Sequence, residues 1–259
     1  MSGIVTTSGR PDEQSVQLAA NAAEVLGFPV VERKKRSIVQ LQADYKSDVI
    51  IAGKNRFDLY RIGMDAPFFF HPNSAAFRLK RLLKGEKDPL IETAQLQSGD
   101  SFLDCTLGLA SDSIIASYVV GESGFVTGVE ADSAVAFITR HGLHTFPTES
   151  VQLKQSMARV NVIHARAIDF LRTQSDSTWD VVYLDPMFHA PVEESSNFTA
   201  LRQSGFHSSL TEEWMEQAVR VSKRRVVVKS RYDSPVFEQF ELKQMIRPNT
   251  KFHFGFKEK

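Results

Sequence analysis

The sequence predicts an α/β fold: a mostly parallel sheet with helices on both faces, preceded by a small α/β subdomain. Two observations carry this expectation. From residue 101 onward, apolar β-rich runs at 101–105, 125–130, 160–164, 179–184 and 225–229 alternate with helical patterns. Such alternation builds right-handed βαβ units around a parallel sheet. Before about residue 70 a helical pattern and two short β-like runs read as a small α/β subdomain.

Taken in order, apolar residues from Val16 to Leu26 recur at helical spacing behind Pro11 and Asp12, and Gly27 ends the pattern. Short β-like runs follow at 49–51 and 57–60, and Phe68-Phe69-Phe70-His71-Pro72-Asn73 then breaks all periodicity. The basic segment Arg78 to Lys84 reads as a helix stopped by Gly85. The division is 1–70 for the small subdomain, 71–98 for a linking helical segment and 99–259 for the main domain. Within the last, helices are expected at Ser113 to Val120, Ser133 to Leu143, Ser150 to Ala158 and Thr211 to Val221. The tail reads as a closing antiparallel hairpin, Phe240 to Ile246 and Lys251 to Phe256 around Arg247-Pro248-Asn249-Thr250.

Composition sets limits. With 259 residues, 42% of them hydrophobic, the chain can bury a core without staples, and one cysteine excludes an internal disulfide framework. Thirty-one basic and 31 acidic residues give a net charge of +0, which excludes a global positive field, so an RNA partner must be held by local patches. No apolar run approaches the ~20 residues that span a bilayer, and the opening residues lack the basic and apolar regions of a secretion signal. The expectation is a cytoplasmic protein without a membrane partner.

In open α/β sheets ligands sit beyond the carboxyl ends of the strands, near the switch in strand order. The first loop there runs Asp104-Cys105-Thr106-Leu107-Gly108-Leu109-Ala110-Ser111-Asp112. Gly108 allows close backbone approach, and Asp112 falls in a first helical turn, where a carboxylate suits the dipole. A dinucleotide would need G-x-G-x-x-G; Ala110 and Ser113 stand at the other two places, and Asp112 would repel a phosphate. A sulfonium ligand carrying an amino group suits this acidic loop better. Glu130, ending the second strand, can accept hydrogen bonds from ribose hydroxyls, which implies adenosine. The bland alternatives are that Asp104 caps backbone and Glu130 is a solvated strand end.

The fourth strand delivers Asp185-Pro186-Met187-Phe188. An exocyclic base amine is a poor nucleophile because its lone pair is delocalised into the ring. Hydrogen bonds from that amine to the Asp185 carboxylate and the Pro186 carbonyl would favour the rehybridised, attacking form. Phe188 can stack on the flat substrate and hold the nitrogen in line. The competing reading is a turn after a buried strand, with Phe188 in the core.

With Asp104-Cys105-Thr106-Leu107-Gly108-Leu109-Ala110-Ser111-Asp112, Ile163-His164-Ala165, Val182-Tyr183-Leu184-Asp185-Pro186-Met187-Phe188 and Arg225-Val226-Val227-Val228-Lys229, the chain resembles the ribosomal small-subunit guanine-N2 methyltransferase J family over about residues 65 to 235. The resemblance implies a Rossmann-like class I methyltransferase with a seven-stranded sheet and S-adenosyl-L-methionine (SAM) as cofactor. It also implies ribosomal RNA or a small-subunit particle as partner, with no metal. Carried over by position, it places cofactor contacts at Ser111, Asp112, Glu130, Ala131, Arg166, Ala167 and Asp185, beside Asp104 and Gly108. The chain departs from the family at Ala110, where a second glycine is usual, at Ser111, at His189 and at the pair Arg166-Ala167.

Weaker signals carry bland readings. Cys105, at the end of the first strand run, reads as a small buried residue rather than a nucleophile, and His141 and His144 lack a third metal ligand at suitable spacing. His189 adjoins the catalytic loop, and the segment after it is acidic at Glu193-Glu194. Three basic clusters, Arg33 to Arg36, Arg78 to Lys84, and Lys223 to Arg225 with Lys229 and Arg231, read as solvated faces or phosphate grips. Two enzyme alternatives are methylation of adenine N6 or a glutamine amide. A non-catalytic RNA-binding assembly factor is an alternative of another class, and the missing glycines argue against a nucleotide-dependent oxidoreductase.

Overall fold

The computed structural model describes residues 2–186 and 210–259, which form two compact units. Met187, Phe188, His189, Glu193 and Glu194 lie outside the described residues.

The first unit gathers residues 2–71 and 132–147. Its three-stranded sheet has β2 (Asp48–Ala52) in the centre, parallel to β1 (Gly3–Thr7) and antiparallel to β3 (Phe57–Tyr60). Alternation of side chains across the pleat sends Ile4, Val49 and Ile51 to one face, where they meet Leu41 of helix α2 (Ile38–Tyr45). Helix α1 (Glu13–Leu26) packs against β1 and β2 and buries Ala19 and Ala22. Asp12 opens α1 with a capping box through Ser15, and Gly27 closes it at φ 68°, a left-handed angle that glycine takes without steric cost.

Helix α6 (Ser133–Thr145) belongs to this unit and packs against α1. Asp132 caps it by accepting from the Ala134 and Val135 N–H groups. The same carboxylate takes the guanidinium of Arg61, whose other arm donates to Asp48 at 2.7 Å. His141 of α6 packs edge-on against Phe57 at 4.8 Å, and burial lowers its pKa, with His144 adding to the effect. Between β1 and α2, Lys34 and Lys35 both adopt left-handed backbone, at φ 46° and 63°, in a turn braced by the Arg33 and Arg36 guanidinium groups donating to each other's carbonyls.

The second unit holds a seven-stranded sheet in the order β6-β5-β4-β7-β8-β10-β9. These strands are β4 (Ser101–Asp104), β5 (Phe125–Glu130), β6 (Val160–His164), β7 (Trp179–Leu184), β8 (Ser222–Arg231), β9 (Lys243–Met245) and β10 (Phe252–Glu258). The first five named are mutually parallel, and β10 runs antiparallel to both β8 and β9. Strand order reverses between β4 and β7, so the crevice at their carboxyl ends is the topological switch point.

One face of this sheet packs Leu103, Val182, Leu184, Val226 and Val228 against Trp214, Met215 and Ala218, which lie on a helix we number α9 (Glu212–Val221), and against Leu171 of α8 (Ala167–Thr173) and Phe237 of α10 (Val236–Gln239). The other face is covered by α5 (Ser111–Val120), whose Ile114, Ile115 and Ala116 are all buried, and by α4 (Pro89–Ala94), while α3 (Asn73–Leu82) and α7 (Val151–Ala158) pack on α5.

The expected strands stand where the apolar runs place them, with β8 longer at both ends. The tail hairpin pairs as expected, though β9 is confined to three residues because α10 and its following turn occupy the segment before it. The helix expected from Arg78 begins earlier, at Asn73, directly behind Pro72.

Gly142 in α6 faces Phe70, and a Cβ there would lie 2.2 Å from the ring carbon Cγ. Glycine to alanine in a helix ordinarily gains up to about 1 kcal/mol, whereas overpacking a core costs about 1–3 kcal/mol. Gly142→Ala is therefore expected to lower the urea midpoint of the protein. An unchanged or raised midpoint would mean that Phe70 is not held against α6.

Candidate active site

The carboxyl ends of β4, β5, β7 and β8 bring a connected set of polar side chains to the switch point. Asp104, the last residue of β4, is 1% exposed and accepts from the Thr106 N–H at 2.9 Å and from the Ser113 hydroxyl at 2.6 Å. The Thr106 Oγ1 in turn accepts from the Asp185 N–H at 2.8 Å and faces Asp104 Oδ1 at 3.3 Å. One hydroxyl thus joins the loop after β4 to the loop after β7. Burial pushes the Asp104 carboxyl up to about 7, further than the Ser113 and Thr106 donors pull it down, while Asp112 and Asp185 add to the rise.

The glycine loop hangs on β5. The Leu107 N–H donates to the Val129 carbonyl at 3.1 Å and the Gly108 N–H to Glu130 Oε2 at 3.0 Å. Leu107 lies directly over Gly128, where a Cβ would sit 2.2 Å from Leu107 Cδ1. Gly108 takes φ 49°, and Ala110 follows in the left-handed region at φ 59°, where it opens helix α5.

Asp112, in the first turn of α5, is surrounded by donors. Arg78 Nη1 reaches its Oδ1, while the Tyr183 hydroxyl at 2.8 Å and Lys229 Nζ at 3.4 Å reach Oδ2. Burial would raise this carboxyl, but Lys229 and Arg78 outweigh it and hold it well below the usual carboxylate range. Lys229 also donates to Asp185 Oδ2 at 2.8 Å. Burial disfavours the Lys229 ammonium, yet Asp112 and Asp185 reverse that and raise its pKa. Arg78 is fixed from behind by a fork onto Asp88, at 2.8 and 2.9 Å.

The structure thus joins Asp104, Asp185 and Asp112 through Thr106 and Lys229, and Gly108 directly to Glu130. Ser111 starts α5 and Ala131 follows β5, both partly buried, and Pro186 is buried. Arg166 and Ala167 open α8; the Arg166 side chain is 68% exposed and lies 3.7 Å from Asp169, while the adjacent Ala165 N–H donates to the Glu130 carbonyl at 3.0 Å. Thr106 and Tyr183 are site residues beyond the sequence expectation, and Lys229, expected there only as one of a basic cluster, closes the Arg-Val-Val-Val-Lys run. Cys105 is buried beyond the end of β4, and burial raises its thiol well above its ordinary value. Among the described residues no group of three or more His, Cys, Asp or Glu side chains could hold a metal ion. None of the described helices is long and apolar enough to cross a membrane.

A family model for SAM-dependent methyltransferases matches residues 68–253, most of the chain. The chain belongs to that family. The methyltransferase is 43% identical over 252 residues to the uncharacterized protein YpiP of Bacillus subtilis (strain 168), covering 97% of this chain and 98% of that one. It is 29% identical over 150 residues to ribosomal RNA small subunit methyltransferase J of Thioalkalivibrio sulfidiphilus, covering 55% of this chain and 56% of that one. The enzyme of the same name from Pseudomonas paraeruginosa is 25% identical over 234 residues, with 86% and 83% covered. Among solved structures, a SAM-dependent methyltransferase from Neisseria gonorrhoeae superposes with a TM-score of 0.61 at 18% identity, covering 98% of this chain and 95% of that one. The fold is accordingly Rossmann-like, and SAM is the cofactor of the methyltransferase.

A buried acid whose pKa rises on folding binds protons in the native state that the unfolded chain has released. Its contribution to stability is complete below its unfolded value of 3.8 and is lost as pH climbs through about 7. Replacing it with Asp104→Asn keeps the acceptor for Thr106 and removes the titration. The difference in unfolding free energy, wild type minus variant, is expected to fall between about pH 4 and pH 7, as read from urea titrations across that range. A flat difference would mean that Asp104 is ionised throughout.

Proposed function

We propose that the methyltransferase transfers a methyl group to an exocyclic base amine, guanine N2 of small-subunit ribosomal RNA, with Asp185 and Pro186 as the catalytic groups and Phe188 as the stacking partner of the base. The observation that carries this reading is the position of Asp185. It stands at the carboxyl end of β7 beside the strand-order switch, with its carboxylate held at 2.8 Å by Lys229 and its N–H tied to Thr106. The names of the methyltransferase J relatives support RNA as the acceptor.

The donor set at this edge fits SAM. Glu130 brings negative charge to a cation that carries an amino group and a ribose, Asp104 shapes the loop through Thr106 and Ser113, and the left-handed Gly108 lets the ligand approach the backbone. Bound SAM supplies an electrophilic methyl group on sulfur. Glu130, oriented by the Gly108 N–H, would accept from the ribose hydroxyls, and Ser111, Ala131, Arg166 and Ala167 would contribute further cofactor contacts. Asp112, whose two oxygens are both engaged by protein donors, serves the cofactor through Lys229 and the seating of α5.

Asp185 contributes by accepting. The ammonium of Lys229 pairs with that carboxylate and aims it, so it takes a hydrogen bond from the base amine while the Pro186 carbonyl takes another. Both bonds strengthen as the nitrogen rehybridises, and preorganised acceptors of this kind are worth about 10²–10³ in kcat.

The test is transfer of label from methyl-labelled SAM to small-subunit ribosomal RNA from cells that lack the gene. Wild-type protein should label guanosine, and Asp185→Ala should abolish the label. Label in adenosine, or in a protein amide, would replace guanine as acceptor. No label despite measured SAM binding would overturn the RNA reading.

A further inference from the structure

Two of the three basic clusters are engaged within the protein. In the 223–231 segment Lys223 meets Asp180 at 3.3 Å, Arg224 meets Asp100 at 2.6 Å, Arg225 is buried and pairs with Glu258 at 2.5 Å, and Arg231 pairs with Asp233. At 33–36 Arg36 pairs with Asp44, and Arg33 and Arg36 clamp their own turn. The third cluster, on α3, is different.

Helix α3 buries Ala75 and Leu79 and turns Arg78 inward to Asp88 and Asp112. Its outer side carries Phe77, which is 64% exposed, with the Arg81 guanidinium 5.9 Å from the ring centroid. Lys80 and Lys84 are exposed beside them, and Arg247, from the turn between β9 and β10, faces Arg78, Arg81 and Asp88. Glu86 pairs with Arg81 at 2.6 Å, and Asp88 is committed to Arg78. Phe77 and Lys80 thus share the exposed side of the helix, with Arg81 against the ring and Lys84 exposed in the turn that follows.

We propose that the outer face of α3, Phe77 with Lys80, Arg81, Lys84 and Arg247, is the docking surface for single-stranded RNA, Phe77 stacking an unpaired base and the cations tracking the phosphates. An exposed ring among cations matches a strand that offers both π-faces and regularly spaced negative charge. A duplex hides its bases from such a ring, so the surface discriminates by strandedness. Because the same helix anchors Arg78 on Asp112, and Asp112 holds Lys229 against Asp185, a strand lying on α3 is registered against the catalytic edge. The inference rests on the reading that the methyl acceptor is RNA.

The test uses full-length protein, a fluorescent oligouridylate of about 20 nucleotides, and an RNA duplex of equal charge. Wild type should bind the single strand more tightly than the duplex. Phe77→Ala should weaken single-strand binding about tenfold, the ratio a single lost base stack gives. Phe77→Tyr should restore it, and SAM affinity should be unchanged in both. Lys80→Gln with Lys84→Gln should lower the slope of log affinity against log salt by about 1.4, at roughly 0.7 per phosphate contact. Equal affinity of wild type and Phe77→Ala overturns the docking surface, even if wild type methylates ribosomal RNA. Phe77-dependent binding without methyl transfer keeps the surface and removes the acceptor reading. Absence of single-strand binding by wild type overturns the docking surface, while the acceptor reading stands or falls on methyl transfer to ribosomal RNA.

Discussion

The second unit depends on a row of alternating charges running from Asp88 through Arg78, Asp112 and Lys229 to Asp185. Each member comes from a different place in the chain, so the row fixes α3, the start of α5, and the ends of β7 and β8 against one another. Buried charges are tolerated only when each finds an opposite partner and its remaining valences are filled. Here every interior member has a partner on both sides, and Tyr183 adds a neutral donor to Asp112. Removing one partner leaves the next charge uncompensated, most expensively at the Asp88–Arg78 end, where burial is deepest. The Asp185 carboxylate is therefore set by the row, while its backbone is held by Thr106.

The cofactor edge is organised by shorter means. Leu107 can lie over β5 only because residue 128 lacks a Cβ, and that contact lets the Gly108 N–H meet Glu130. Thr106 then couples this loop to Asp185 through one hydroxyl. A glycine in a central strand, usually a weakness, here permits close approach of the loop that follows β4.

Much of this was legible in the sequence because parallel strands buried on both faces read as continuous apolar runs. The runs ending in Asp104, Glu130 and Leu184 located the carboxyl edge, and hence Asp104, Gly108, Glu130 and Asp185. Elements set by local chemistry were also written there: Asp88-Pro89 caps α4, and Ser37 with Gln40 forms a capping box on α2, though neither helix has enough apolar periodicity to announce itself. Strand β1 is short, and its register on β2 depends on residues more than forty positions away. Lys229, Tyr183 and Arg78 could not be assigned from pattern because their partners at Asp185 and Asp112 are 34 to 117 residues distant in the chain. Only the sheet order brings them together.

Ala110 has a consequence for how the cofactor is met. An alanine in the left-handed region gives up about 1 kcal/mol relative to its preferred backbone, and here its methyl is fully buried while its N–H closes a turn onto Leu107. A glycine would sit there without strain, but it would also leave the free loop many other shapes to visit. With alanine the loop surrenders that freedom when the chain folds and has little left to lose when the ligand arrives, so more of the contact energy appears as affinity.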